Sequence, residues 1–409
     1  MRIAYVLTEF PSISQTFVLK QITGLIDLGH DIEIFALTSS CNHNCHPDVI
    51  RYKLLNKTTY FPPVYSSRLE RFLHLLKAIS KYIFRYPKEI LGTLNFFRFG
   101  RMSFNSSLLN KILPFLGKEP FDIIHCHFGP MGNIAIQCKR HGVLKGKIVT
   151  SFHGYDLTGY IRSHGSNVYD MLFKYGDLFL PISFHWQKKL LDMGCDASKI
   201  KVHRMGVDVG KFQFKKYIPQ KKTHIKLVSI ARLVEKKGIK YSIRAVYHAL
   251  KKYPNIEYNI VGDGPLFDEL RELVSQLGIK QQIKFCGWMN QDEIAYTLSQ
   301  SDILIAPSVT SSSGDQEGIP VVLMEALSMG LPVVSTNHSG IPELVIDGTS
   351  GFIVPEKSID GLAQKLIYLI EHQELWPVMG SEGRKYVQAY FNNDKLNTNL
   401  EELFYSLAK

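Results

Sequence analysis

Two carboxylates, Glu317 and Glu325, lie close together in residues 308–343, SVTSSSGDQEGIPVVLMEALSMGLPVVSTNHSGIPE. Pro320 suits the first turn of a helix, where its missing N–H has no partner to lose, and Gly330 suits the residue just past the end. Glu317 therefore falls in a loop and Glu325 inside the helix. Asp302-Ile-Leu-Ile-Ala-Pro before the loop and Leu331-Pro-Val-Val-Ser-Thr after the helix read as buried strands. Such a unit puts its loop at the carboxyl edge of a parallel sheet, where these folds bind ligands. The N–H groups of Gly318 and its neighbours, with the positive helix end, then favour an anion, and the carboxylates beside it favour hydroxyls. A guest carrying both phosphate and sugar hydroxyls meets both demands. Taken alone, the same pair also describes an ordinary solvated helix start.

A second group of charges follows the strand Ile225-Lys-Leu-Val-Ser-Ile, in Ala231-Arg-Leu-Val-Glu-Lys-Lys-Gly238. Arg232 and Lys237 stand in a loop entering a helix, so a guanidinium fork, a compact ammonium and helix-end N–H groups can converge on one diphosphate. Lys236 reads as solvated. Gly262-Asp-Gly-Pro265 is a tight strand-to-helix turn at the same edge; it lacks the G-x-G-x-x-G dinucleotide pattern and suits close packing near a ligand.

These loops need a scaffold, and the strand and helix signals supply two. Strands at Arg2 to Leu7 and Asp31 to Leu37 flank a helix from Phe17 to Leu28, with Ser14 or Thr16 as its cap. Later strands exit into His125 and His127, and into His153-Gly-Tyr-Asp156. From Ile225 a second alternating series begins. The fold class is therefore α/β, two doubly wound Rossmann-like domains facing a cleft: residues 1–208, a basic linker at 209–223, residues 224–385, and an amphipathic helical tail at 386–409.

At 409 residues the chain exceeds one ordinary core, and its 45% apolar and 21% charged content are those of a soluble globular protein. No signal peptide and no spanning run is evident, which points to the cytoplasm. Cys126, Cys138, Cys195 and Cys286 look like reduced thiols, and Cys41-Asn-His-Asn-Cys45-His46 reads as a polar loop, its spacing not that of a zinc site. The net charge of +11 is confined to the first half: residues 1–210 hold 26 Lys and Arg against 15 Asp and Glu, whereas 211–409 hold 22 against 22. Residues 66–118 carry ten basic against two acidic side chains, interleaved with Leu, Ile, Phe and Tyr. That stretch suits either an anionic membrane surface or a solvated helix pair with lysines over apolar surface; no nucleic-acid motif accompanies it.

Taken together, A-R-L-V-E-K-K-G at 231–238, G-D-G-P at 262–265, E-G-I-P-V-V-L-M-E at 317–325 and S-G-I-P-E-L-V-x-D-G-x-x-G-F at 339–352 resemble the family 4 retaining glycosyltransferases of the GT-B fold. L-T-E-F-P-S-I-S-Q-T-F at 7–17 and S-F-H-G-Y-D at 151–156 are similar to its exopolysaccharide branch, which includes colanic-acid-type enzymes. The resemblance implies a hexose moved from a UDP- or GDP-type sugar to a lipid-linked or oligosaccharide acceptor, with retention and without metal or other cofactor. It places Arg232 and Lys237 on the diphosphate, Glu325 on the ribose and Glu317 on the donor hexose. Gly262, Gly318, Ile319, Pro320 and Val321 line the same contacts, and His153 stands close to the reacting sugar. Ser14, Gln15, Thr16, His127 and Asp156 belong to the acceptor side. Where many members carry glycines after the first strand, this chain has Pro11-Ser-Ile-Ser-Gln. In relatives the tail helix crosses back to the first domain. A nucleotide-sugar epimerase of the same fold, or a non-catalytic sugar-nucleotide-binding protein, are the alternatives.

Overall fold

Parallel strands buried on both faces favour apolar runs, and most of the twelve strands among the described residues carry one. The computed structural model describes the chain except residues 13–14, 40–45, 64–66, 94–106 and 216–220. Ser14, the Cys41–Cys45 cluster, part of the basic stretch and part of the linker thus lie outside the described residues. One sheet comprises β1 (Arg2–Glu9), β2 (Asp31–Thr38), β3 (Thr58–Tyr60), β4 (Ile123–His127), β5 (Lys147–Phe152) and β6 (Leu178–Pro181), in the order β3-β2-β1-β4-β5-β6. The other comprises β7 (Ile225–Ile230), β8 (Ile256–Val261), β9 (Ile283–Gly287), β10 (Ile303–Ala306), β11 (Val333–Thr336) and β12 (Gly351–Val354), in the order β12-β11-β10-β7-β8-β9. Every pairing is parallel, and the two orders are the same doubly wound pattern. Each sheet reverses its winding between its first and fourth strands, which opens a crevice at the carboxyl edge.

Helices cover both faces of each sheet. Those that matter for the site are α1 (Thr16–Asp27), α2 (Gly129–His141), α3 (Phe184–Asp192), α4 (Ile239–Leu250), α5 (Phe267–Gln276), α6 (Gln291–Gln300) and α7 (Val321–Met329). α7 is buried at every position from Leu323 to Met329, so its apolar residues run all round it and Glu325 enters the interior with them. Pro320 occupies its N-cap position, and Gly330 ends it in the left-handed region at φ +81°.

Three expectations are corrected. The N-cap of α1 is Gln15, without a side-chain cap, and Thr16 is already helical. The described part of the linker is not a free tether: Phe212 is buried in the second core, Arg384 donates to the carbonyls of Phe212 and Val209, and Lys215 donates to that of Ser299. The tail is not one helix from Tyr386, because α8 (Trp376–Tyr390) breaks at Phe391 and Asn392 caps α9 (Asn393–Ala408). α9 packs on the first half, with Leu400 and Phe404 in its core and His30 Nε2 2.8 Å from Glu401. The two crossing segments pair with each other, Val207 N–H donating to Phe391 O and Asn393 N–H to Val207 O. The crossings therefore form one joint.

Candidate active site

The 231–238 loop is held against the end of β10. Gly238 sits at φ +67°, and a Cβ there would lie 1.9 Å from Pro307 O, so only glycine permits the approach. Val309 N–H donates to Lys236 O, and Ser312 donates twice to the Glu235 carboxylate. Gly262 is required for the same reason: its Cβ would fall 1.9 Å from Ala231 O. The G-D-G-P turn thus buttresses the cationic loop by close packing.

Those contacts bring two cations onto Glu317. Lys237 Nζ lies 2.7 Å from its Oε2 and Lys236 Nζ 3.2 Å from its Oε1. Lys236 also reaches Asp315 at 3.0 Å and is largely buried, which corrects its reading as solvated. Burial alone would raise the Glu317 carboxyl, but the charges and hydrogen bonds of Lys237 and Lys236 outweigh it and hold it down to about 2. Burial would likewise lower Lys236, and the Glu317 and Asp315 carboxylates raise it instead. Arg232 is exposed and makes no ion pair with a described residue.

Behind the loop stands a pair that sequence reasoning missed. Glu317 N–H donates to His338 Nε2 at 3.0 Å, which leaves the imidazole proton on Nδ1, facing Glu356. Glu356 in turn accepts from Thr310 N–H at 2.8 Å. A histidine just before the Ser-Gly-Ile-Pro turn was the only local signal.

Across the cleft, the 153–156 turn meets the same loop. A Cβ on Gly318 would lie 2.5 Å from His153 O, and one on Gly154, at φ +123°, would lie 3.2 Å from Gly318 N. His153 is 8% exposed, and burial lowers its imidazole to about 3. Asp156 does not face the cleft: it is fully buried, and its carboxylate accepts N–H groups from Gly129, His153 and Gly154. Burial nevertheless pushes it up to about 6. His127 is also buried, packed behind His153. A second bridge between the halves is the Glu343 carboxylate, which accepts the N–H groups of Phe184 and His185 at the start of α3, each at 3.0 Å. A carboxylate there satisfies otherwise unpaired helix donors.

Beside this contact the halves enclose a cleft of about 1040 Å³. Gln15, Thr16 and Lys20 line it from the first half, and Lys211, Val321 and Glu325 from the second. Glu317 is not in that lining; it lies under the two lysines. Burial raises the Glu325 carboxyl to about 7, against the opposing charge of Lys211. Ile319 and Pro320 are buried at the junction between the cleft and the Glu317 pair. The cleft thus offers Lys20, Lys211, the amino terminus of α7 and the raised carboxyl of Glu325, while the depressed carboxylate of Glu317 and its two lysines stand beside it.

Residues 211–386 match the family model described as glycosyl transferases group 1, and residues 85–211 match glycosyltransferase family 4. The chain is 37% identical over 415 residues, the whole of both chains, to WcaL of Escherichia coli K12, a protein named as a colanic acid biosynthesis glycosyltransferase. It is 38% identical over 416 residues, again the whole of both, to the amylovoran biosynthesis glycosyltransferase AmsK of Erwinia amylovora. In three dimensions it is similar to Anabaena HepE, solved with UDP and glucose, at TM-score 0.72 and 16% identity over 99% of this chain and 100% of that one. With two doubly wound sheets facing a cleft, the architecture is GT-B, and the chain belongs to the family of exopolysaccharide-biosynthesis glycosyltransferases that includes WcaL and AmsK.

Proposed function

We propose that this glycosyltransferase moves a hexosyl unit from a UDP- or GDP-type sugar to a lipid-linked or oligosaccharide acceptor, with retention and without a metal. The observation that carries this reading is the placement of Lys236 and Lys237 against Glu317, in the loop just before α7, whose next residue Gly318 packs on His153 and Gly154 of the other half. Departure of a nucleoside diphosphate builds negative charge on phosphate oxygens, and fixed cations with a helix amino terminus stabilise it. Arg232 and Lys237 take the diphosphate, Glu325 the ribose hydroxyls, and Glu317 the hexose. A carboxylate held at about 2 is a weak base, so Glu317 is poorly suited to take the acceptor's proton. The bond from C1 to the phosphate oxygen breaks while the acceptor oxygen bonds C1 on the same face, and the acceptor's proton passes to the departing phosphate.

The acceptor side includes an anionic membrane surface. The helix Arg68–Tyr82 turns Leu75, Ala78 and Ile79 into the core, while Leu69, Phe72, Leu73 and Leu76 form a second apolar stripe that is exposed. Lys77, Lys81 and Arg85 are exposed near it, and Phe84 is 93% exposed. Apolar side chains beside lysines suit insertion between charged headgroups. Among the described residues no helix is long and apolar enough to cross a membrane.

A panel of UDP- and GDP-sugars tests the donor by thermal stabilisation, since a ligand at a hundredfold excess over Kd adds about 2.7 kcal/mol. Product that forms only with an added lipid-linked or oligosaccharide acceptor supports the reading. Epimer released without any acceptor would favour the epimerase alternative instead.

A further inference from the structure

A chain of buried and partly buried polar side chains leads to His153 through the first half. Tyr5 Oη donates to Gln21 Oε1 at 3.1 Å, and His127 Nε2 lies 2.9 Å from the same oxygen. His127 Nδ1 lies 3.0 Å from His153 Nε2. His153 Nδ1 is buried and has no partner among the described residues.

An amide oxygen only accepts, so His127 carries its proton on Nε2 and leaves Nδ1 as a lone pair. That lone pair requires a donor, which places the proton of His153 on Nε2. His153 Nδ1 is then an acceptor with nothing to accept from, and a buried acceptor left unmade is costly. We propose that Gln21 and His127 are positioning residues, which lock His153 in the Nε2–H form so that its Nδ1 lone pair receives a hydroxyl of the reacting sugar. This rests on the glycosyl-transfer reading above.

The surroundings hold both rings in place. Tyr5 stacks on His127 at 5.8 Å and His127 on His153 at 5.2 Å, while Phe17 and Phe128 pack against His153 at 5.0 and 4.6 Å. Burial, with the neighbouring histidines His125, His153 and His203, lowers His127 well below the usual imidazole range. Both rings therefore stay neutral, the state in which a tautomer carries information. The imidazole next to the sugar is thereby set from Gln21, a residue of α1.

Histidine-selective ¹⁵N NMR of the full chain, assigned by single substitutions, reads the tautomers directly. The native spectrum is expected to show Nε2–H for both His127 and His153. Gln21→Met, which removes the acceptor, is expected to disturb that state and lower kcat about tenfold, the scale of one hydrogen bond lost in the transition state, with donor KM unchanged. Gln21→Glu, which keeps an acceptor oxygen, is expected to restore the tautomer and most of kcat. Nδ1–H on His153 in the native chain overturns the proposal, whether or not the variants fold. So does a Gln21→Met chain with native tautomers and native kcat, or equal losses in Gln21→Met and Gln21→Glu with the tautomers unmoved. If the native chain transfers no sugar yet shows these tautomers, the functional reading fails while the relay stands.

Discussion

Lys237 Nζ lies 2.7 Å from Glu317 Oε2, so the cation assigned to the diphosphate and the carboxylate assigned to the hexose hold each other in register. Substituting either should harm catalysis by different routes. Lys237→Met removes charge from the leaving group and should lower kcat roughly 10²–10³-fold, about 2.7–4 kcal/mol of transition-state stabilisation. Binding of the free nucleoside diphosphate should weaken in parallel by calorimetry. Glu317→Gln keeps the shape but leaves Lys236 and Lys237 without that countercharge; it should lower kcat while leaving diphosphate affinity equal or tighter. Weaker diphosphate binding in Glu317→Gln would contradict this division of roles.

Gly318→Ala tests the contact between the halves. Its Cβ would fall 2.5 Å from His153 O and from Ile182 Cδ1, so the 153–156 turn must withdraw. Overpacking of this kind costs about 1–3 kcal/mol. A lower melting temperature and a larger radius of gyration by small-angle scattering are expected. A variant that melts and scatters like the native chain would show that the halves do not meet there in solution.

Glu325 makes stability depend on pH. Its folded carboxyl is raised from 4.5 to about 7, so the folded chain binds the proton more tightly than the unfolded chain. That contribution is fully present below the unfolded value and is lost as pH rises through about 7, at a cost of roughly 3 kcal/mol. Urea melts at pH 5 and pH 8 should therefore differ more for the native chain than for Glu325→Gln. An identical difference in both would remove Glu325 as the cause.

Membrane association should depend on the exposed stripe and on charge together. Lys77→Gln with Lys81→Gln removes about 1 kcal/mol per lysine, or roughly thirtyfold in affinity for anionic vesicles. Phe72→Ser with Phe84→Ser should weaken binding at any salt concentration, whereas added salt should weaken only the native electrostatic part. Equal sedimentation with neutral and anionic vesicles would refute the charge component.

The amino-acid order alone determined the alternating strands and helices, the punctuation by Pro320 and Gly330, and thus the loop position of Glu317 and the helical position of Glu325. These follow from backbone chemistry acting over a few residues. It also carried the family motifs, and with them Arg232, Lys237 and His153. The tertiary structure alone decided who faces whom. Lys236 looks solvated in a lysine-rich loop because nothing local reveals that the loop after β10 will bring Asp315 and Glu317 against it. Asp156 reads as a site carboxylate until three backbone N–H groups are seen to occupy it. His338 with Glu356, Glu343 on the amino terminus of α3, and Gln21 behind His127 join residues remote in the chain. Their partners are chosen by strand order and by the docking of one half on the other, and periodicity, which reports only which face of one element is apolar, contains neither.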